Sequence, residues 1–161
     1  MIDNSNHVKT NPLMRLPVPW VYLIAYLFGG GVQLLFPAIR PVFWLTVTQA
    51  ISIALLAVGA IFAVWAQWIF RKEHTTTDPN QISLRLIVWG PYRFSRNPMY
   101  VGLFLIFIGL SGIFALVWSI ICQLFVFYYL NWIVVPFEEA QLRRTFGSSY
   151  EQYCKNVRRW I

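Results

Sequence analysis

The stretch "NPMYVGLFLIFIGLSGIFALVWSIICQLFVFYYLNWIVVPF", residues 97–137, contains no charged side chain. A helix that crosses a bilayer needs roughly 20 apolar residues, and this run is long enough for two. A turn signal, "LSG" at 110–112, divides it, so the run reads as a helical hairpin that returns to the side it left. Pro98 suits the first position of the first arm, where a missing N–H is no loss. That arm is then only about 13 to 15 residues, or roughly 20 Å, so it either stops within the bilayer or is buried by its neighbours. The second arm, about 113–137, is long.

Two further charge-free runs come earlier, 16–39 and 41–70, and each is long enough for one span. With 58% hydrophobic and 12% charged residues, the chain is too apolar for an ordinary soluble domain. The expected fold is a single all-α integral membrane domain of about four transmembrane helices across the 161 residues. Span one covers about 17–37 and span two about 42–70. A cytoplasmic segment 71–97, the hairpin 98–136 and C-terminal helices over 137–161 follow. The first sixteen residues are polar, and no small-x-small cleavage pattern follows the first run, which reads as a retained signal anchor.

Charge orients these spans. One side carries Lys9, Arg15, Arg71, Lys72, Arg85, Arg93, Arg96, Arg143, Arg144, Lys155, Arg158 and Arg159, and the other only Arg40. That asymmetry assigns both termini and the polar segments to the cytoplasm. It also accounts for the net charge of +7 without a nucleic-acid partner. Trp20, Trp65, Trp68 and Trp132 fall near the cytoplasmic ends of the spans, and Trp44 and Trp118 near the opposite ends, as an interfacial belt requires. Cys122 and Cys154 are isolated thiols that make neither a disulfide nor a zinc site. His74 stands alone in a polar loop, and no metal is expected. Asp78-Pro79-Asn80 marks a turn. Leu86, Ile87 and Val88 form a short apolar stretch that can dock on the hairpin.

Glycines 29–31 lack the strand-to-helix setting of a nucleotide-binding loop and read as a helix-packing stripe, as do Gly59, Ala63 and Ala66. In the tail "PFEEAQLRRTFGSSYEQYCKNVRRWI", Pro136 with Glu138 and Glu139 suits a helix start. Gly147 breaks that helix, and Ser148 or Ser149 can cap a second one. Phe146, Tyr150, Tyr153 and Val157 share one face of it, as in a helix lying on anionic lipid.

A hairpin that returns to its own side brings 97–100 close to Glu138 and Glu139. An interfacial collar with a salt bridge is one reading of that meeting. Adjacent glutamates repel, however, and a collar beside anionic lipid is normally basic. Ionisable groups at the edge of a membrane cavity point to function. Carboxylates accept hydrogen bonds from ribose hydroxyls, and aromatic faces attract a sulfonium or ammonium.

"GPYRFSRNPMYVG" followed by "EEAQLRRTFGSSYEQYCKNVRRW" resembles the membrane-embedded methyltransferases related to isoprenylcysteine carboxyl methyltransferase and phosphatidylethanolamine methyltransferase. The resemblance covers about residues 70–161. It rests on two patterns, G-P-Y-R with R-[HN]-P-x-Y-x-G, and E-E-x-x-L with F-G-x-x-Y-x-x-Y. It implies S-adenosylmethionine as the methyl donor, with S-adenosylhomocysteine as product, held between the hairpin and the C-terminal helices. Leu86 and Ile87 would then line the adenine pocket, and Asn97, Pro98, Tyr100 and Gly102 would form a wall beside the donor. Glu138 and Glu139 would anchor its ribose and amino-acid parts, and Phe146, Tyr150 and Tyr153 would pack a C-terminal lid. The chain departs from the isoprenylcysteine branch at Asn97, where that branch usually has histidine. It departs again at Val134, Val135 and Pro136, which stand where a basic residue is usual.

The acceptor is left open between an isoprenylcysteine-like carboxylate, a phospholipid amine and a small thiol. A carboxylate acceptor calls for a cationic clamp, with Arg93, Arg96 and Arg143 as candidates. An amine or thiol calls for a base, with Glu139 as the candidate. A membrane-embedded site implies a lipophilic acceptor entering sideways from the bilayer, among membrane lipids. Two other readings are an NADPH-dependent membrane sterol or enone reductase, on the strength of "FGSSYEQYC", and a non-catalytic membrane scaffold.

Overall fold

The computed structural model describes residues 16–37, 47–73 and 85–161. Arg40, Trp44, His74 and the 78–80 turn lie outside them. The described residues form helices joined by short turns, with no strand among them. α1 spans Val18–Leu35 and α2 spans Val47–Lys72. A 3-10 turn at Gly90–Arg93 leads into α3, Pro98–Ile113, and α4, Val117–Tyr129. A π-helical turn, Leu130–Val134, joins α4 without a break to α5, Val135–Phe146, and α6 spans Ser148–Asn156. α1, α2 and the continuous helix Val117–Phe146 are each long and apolar enough to cross a membrane, while α3 is shorter.

The burial pattern is inverted relative to a soluble bundle. Leu27, Phe28, Leu34, Leu35, Phe125 and Ile61 are exposed, whereas Gln33, Ser52, Ser111, Ser119 and Gln123 are buried. In lipid the apolar exterior costs nothing, so helices associate through close backbone approach and hydrogen bonds between them. α1 and α4 run antiparallel. Ser119 Oγ donates to the Tyr26 carbonyl at 2.9 Å, and four residues on, Gln123 Nε2 donates to the Tyr22 carbonyl at 3.2 Å. Gly29 makes this approach possible, since a Cβ there would strike the backbone of Ser119.

α2 and α3 form the other antiparallel pair. A Cβ on Gly59 would sit 2.7 Å from the Gly102 carbonyl oxygen, and one on Gly109 would sit 2.7 Å from that of Ser52. The predicted packing stripe at Gly59, Ala63 and Ala66 therefore meets a matching stripe on α3. This is how the short α3 is accommodated: α2 covers it along its length, with α1 and α4 on other sides.

The hairpin turn falls later than "LSG" suggests. Ser111 and Gly112 stay helical, with Ser111 Oγ donating back to the Phe107 carbonyl at 2.7 Å. The chain reverses at Ala115, in the left-handed region at φ 53°, and the Leu116 N–H closes onto the Ser111 carbonyl at 2.7 Å. In this membrane helix Gly112 serves packing against Ser52 of α2, and the turn passes to Ala115.

Pro136 likewise does not begin a separate helix. It lies in the first turn of α5 within a continuous rod, directly after the π turn. Proline removes one N–H and crowds the preceding turn, and the wider π turn accommodates that defect. Gly147, at φ 51°, ends α5 as expected. It also stands at the N-cap of α6, and neither serine supplies a side-chain cap. α6 does not depend on a lipid surface to cover its apolar face: Tyr150 and Tyr153 are buried in a cluster with Ala66, Ile69, Ile87 and Tyr92, and Phe146 and Val157 pack on its edge.

Candidate active site

The meeting anticipated between the two hairpin ends is present. Glu139 is only 3% exposed and is held by three guanidinium groups. Arg159 grips it in a fork, Nε donating to Oε1 at 3.0 Å and Nη2 to Oε2 at 2.8 Å. Arg96 Nη2 lies 3.1 Å from Oε1, and Arg143 Nη2, one turn along α5, lies 3.7 Å from Oε2. Burying a carboxylate is tolerable only with such pairing. Hydrogen bonding to Glu139 is also the main cause that raises the Arg159 guanidinium above its ordinary value.

Glu138 is in a different environment. Its Oε1 accepts a hydrogen bond from the Tyr100 hydroxyl at 2.5 Å, and no cation pairs with it among the described residues. Two successive carboxylates on one helix therefore differ in role: one is saturated by arginines and the other is held by a neutral donor. Tyr100 belongs to the core cluster that also contains Tyr22, Val126, Leu130 and Val134. The Tyr22 hydroxyl there is buried without a partner among the described residues.

The start of α3 is organised by its side chains. Asn97 stands at the N-cap without capping the helix. Its Nδ2 donates instead to the Arg159 carbonyl at 3.0 Å, and its own N–H donates to Ser95 Oγ at 3.1 Å. Ser95 Oγ in turn donates to the Arg159 carbonyl at 3.2 Å. Pro98 is buried beneath this corner. The "GPYR" turn anchors α6. Gly90 takes a positive φ of 64°, and the Tyr92 carbonyl accepts a hydrogen bond from the Tyr153 hydroxyl at 2.7 Å. Burial raises both phenols above the ordinary tyrosine range.

The other expected site residues have the following surroundings. The room left by Gly102 is taken by Gly59 and Ala63 of α2. Arg93 is exposed and takes no part in the Glu139 cluster. Ile87 is buried under α6, with Leu86 beside it. Tyr150 and Tyr153 pack α6 to the bundle, and the Arg143 guanidinium lies 5.8 Å from the Tyr150 ring centre.

Arg159, Asn131, Ser95 and Trp160 were not anticipated from sequence. Asn131 sits in the π turn and accepts from Trp160 Nε1 at 2.9 Å and, more loosely, from Arg159 Nη1 at 3.5 Å. A polar residue inside an apolar run was the one available signal for Asn131. Arg159 read only as one of the basic residues of the cytoplasmic side.

The sequence model of the family described as phospholipid methyltransferase matches residues 47–149. The chain belongs to the phospholipid methyltransferase family. The match runs from α2 through the first residues of α6 and includes Asn97, Tyr100, Glu138 and Glu139. As a phospholipid methyltransferase family member with membrane-length apolar helices, it is an integral membrane methyltransferase, and the reductase reading has no support. No curated protein and no solved structure matches the chain.

Proposed function

We propose that this chain transfers a methyl group from S-adenosylmethionine to a lipophilic acceptor, at the bundle end where α3 begins and α5 passes. The observation that carries this reading is the unequal glutamate pair, with Glu139 under three arginines and Glu138 bonded only to Tyr100. When bound, S-adenosylmethionine supplies an electrophilic methyl group on a sulfonium. The residues present fit such a donor. The three positive charges of Arg96, Arg143 and Arg159 outnumber the one negative charge of Glu139, which suits the carboxylate of an amino-acid moiety. Arg96 Nε is buried without a partner among the described residues.

The same inequality bears on the acceptor. A proton acceptor must have a lone pair open to the proton and within reach, and the oxygens of Glu139 are already engaged by three guanidiniums. Glu138 is the better base, with Tyr100 fixing one of its oxygens and leaving the other to receive an N–H proton. An uncompensated carboxylate also repels a carboxylate acceptor. We therefore favour an amine, of the kind carried by a phospholipid headgroup, over an isoprenylcysteine-like carboxylate.

S-adenosylhomocysteine is expected to raise the melting temperature of the detergent-purified chain, and Glu139→Ala to abolish that shift. Incubation with methyl-labelled donor and membrane extract should place the label on a lipid amine. No shift at millimolar ligand would sink the methyltransferase reading. Label on a carboxylate or thiol would sink the amine assignment alone.

A further inference from the structure

We propose that Arg159 is a positioning residue of this site, acting through a strap formed by residues 158–160. The proposal rests on the methyltransferase reading above, and it concerns residues beyond the matched range 47–149.

α6 ends at Asn156, and Val157 turns the backbone to an extended conformation, φ −128° and ψ 132°. The last residues then run back across the site rather than out into solvent. Their main chain is fastened on the α3 side: the Arg158 carbonyl accepts from the Arg96 N–H at 3.0 Å, and the Arg159 carbonyl accepts from Asn97 Nδ2 and Ser95 Oγ. Their side chains are fastened on the α5 side. The Arg159 guanidinium forks onto Glu139, and its Nη1 also donates to the Asn131 carbonyl at 3.3 Å. The Trp160 ring closes over Phe127 at 4.8 Å between centres.

Arg159 therefore ties together, in one residue, the two groups that the hairpin brings into proximity. Its carbonyl sets the Asn97 amide, and its guanidinium sets the plane of the Glu139 carboxylate. A planar fork with two parallel charge-assisted bonds fixes both distance and rotation, which a lysine ammonium does not. Arg143 is no substitute, since it lies farther from Glu139 and is about half exposed (49%). Without Arg159 the carboxylate has only Arg96 to define its orientation from within the protein.

The test uses the full detergent-purified chain and reads its affinity for S-adenosylhomocysteine from the ligand dependence of the melting temperature. Arg159→Lys keeps a cation and the main-chain bonds but loses the fork, and its affinity is expected to fall about tenfold. Its ligand-free melting temperature is expected to stay near wild type, which separates positioning from a merely structural role. Arg159→Ala is expected to lose the ligand shift; if it does not fold, Arg159→Lys decides. A fall of about threefold or more in Arg159→Lys supports the proposal, and a smaller change or tighter binding overturns it. Arg85→Ala, which removes an exposed pair with Glu73, should leave affinity unchanged. A wild-type chain that shows no ligand shift refutes the methyltransferase reading instead, so the two failures are distinct.

Discussion

Glu138 and Glu139 are neighbours in sequence and separate in chemistry, because successive helix positions point about 100° apart. One turns toward the arginines and the other toward Tyr100. Glu138→Gln keeps the shape and loses the proton acceptor, so turnover on an amine acceptor is expected to fall about 100-fold or more. The S-adenosylhomocysteine shift should persist in the same variant; loss of both together would return Glu138 to donor binding. Tyr100→Phe should lower turnover by less, since the carboxylate survives. Glu139→Ala has a second consequence, on stability. It leaves the largely buried Arg96, whose side chain is 12% exposed, without its counter-charge. The expected cost is about 3 kcal/mol, read as a drop in the ligand-free melting temperature.

At the scale of elements, the glycines divide into those that must be small and those that need not be. Gly59 faces α3 at backbone distance, whereas a Cβ on Gly31 meets nothing within 4 Å. Gly59→Ala should therefore force α2 and α3 apart and destabilise by about 1–3 kcal/mol. Gly31→Ala should be neutral, or stabilising by about 0.5–1 kcal/mol through helix propensity. Thermal melts of the two variants side by side check the assignment of the packing stripe. Gly147 is constrained by conformation rather than space, with φ 51°, ψ −125° and nothing near its Cβ position. Gly147→Ala is expected to destabilise the α5–α6 joint by about 1–3 kcal/mol, and to weaken ligand binding because α6 carries the strap.

For the whole molecule, the basic asymmetry of the loops predicts that the site end faces the cytoplasm. Ser149 is exposed on α6, so Ser149→Cys in a Cys122→Ser, Cys154→Ser background should react with an impermeant thiol reagent only from the cytoplasmic side. Labelling from the outer side would invert the topology. Much of the architecture was legible in the residues. Charge-free runs mark spans because no charge is tolerated in hydrocarbon without a partner, Pro98 marks a helix start, and Gly147 marks a helix end. The hairpin's return made the meeting of the start of α3 with the glutamate pair foreseeable. The turn at Ala115 and the π turn before Pro136 were less legible, since each depends on which neighbour a residue packs against. Gly112 looks like a turn residue until α2 claims it. By itself, then, the sequence determined an all-helical membrane chain and the two ends of its site, because solvent transfer and local backbone chemistry act on residues one at a time. Only the tertiary structure decided which glutamate is paired with arginines and which is bonded to Tyr100, and that Arg159 joins the pairing, because ion pairing depends on where distant segments come to lie.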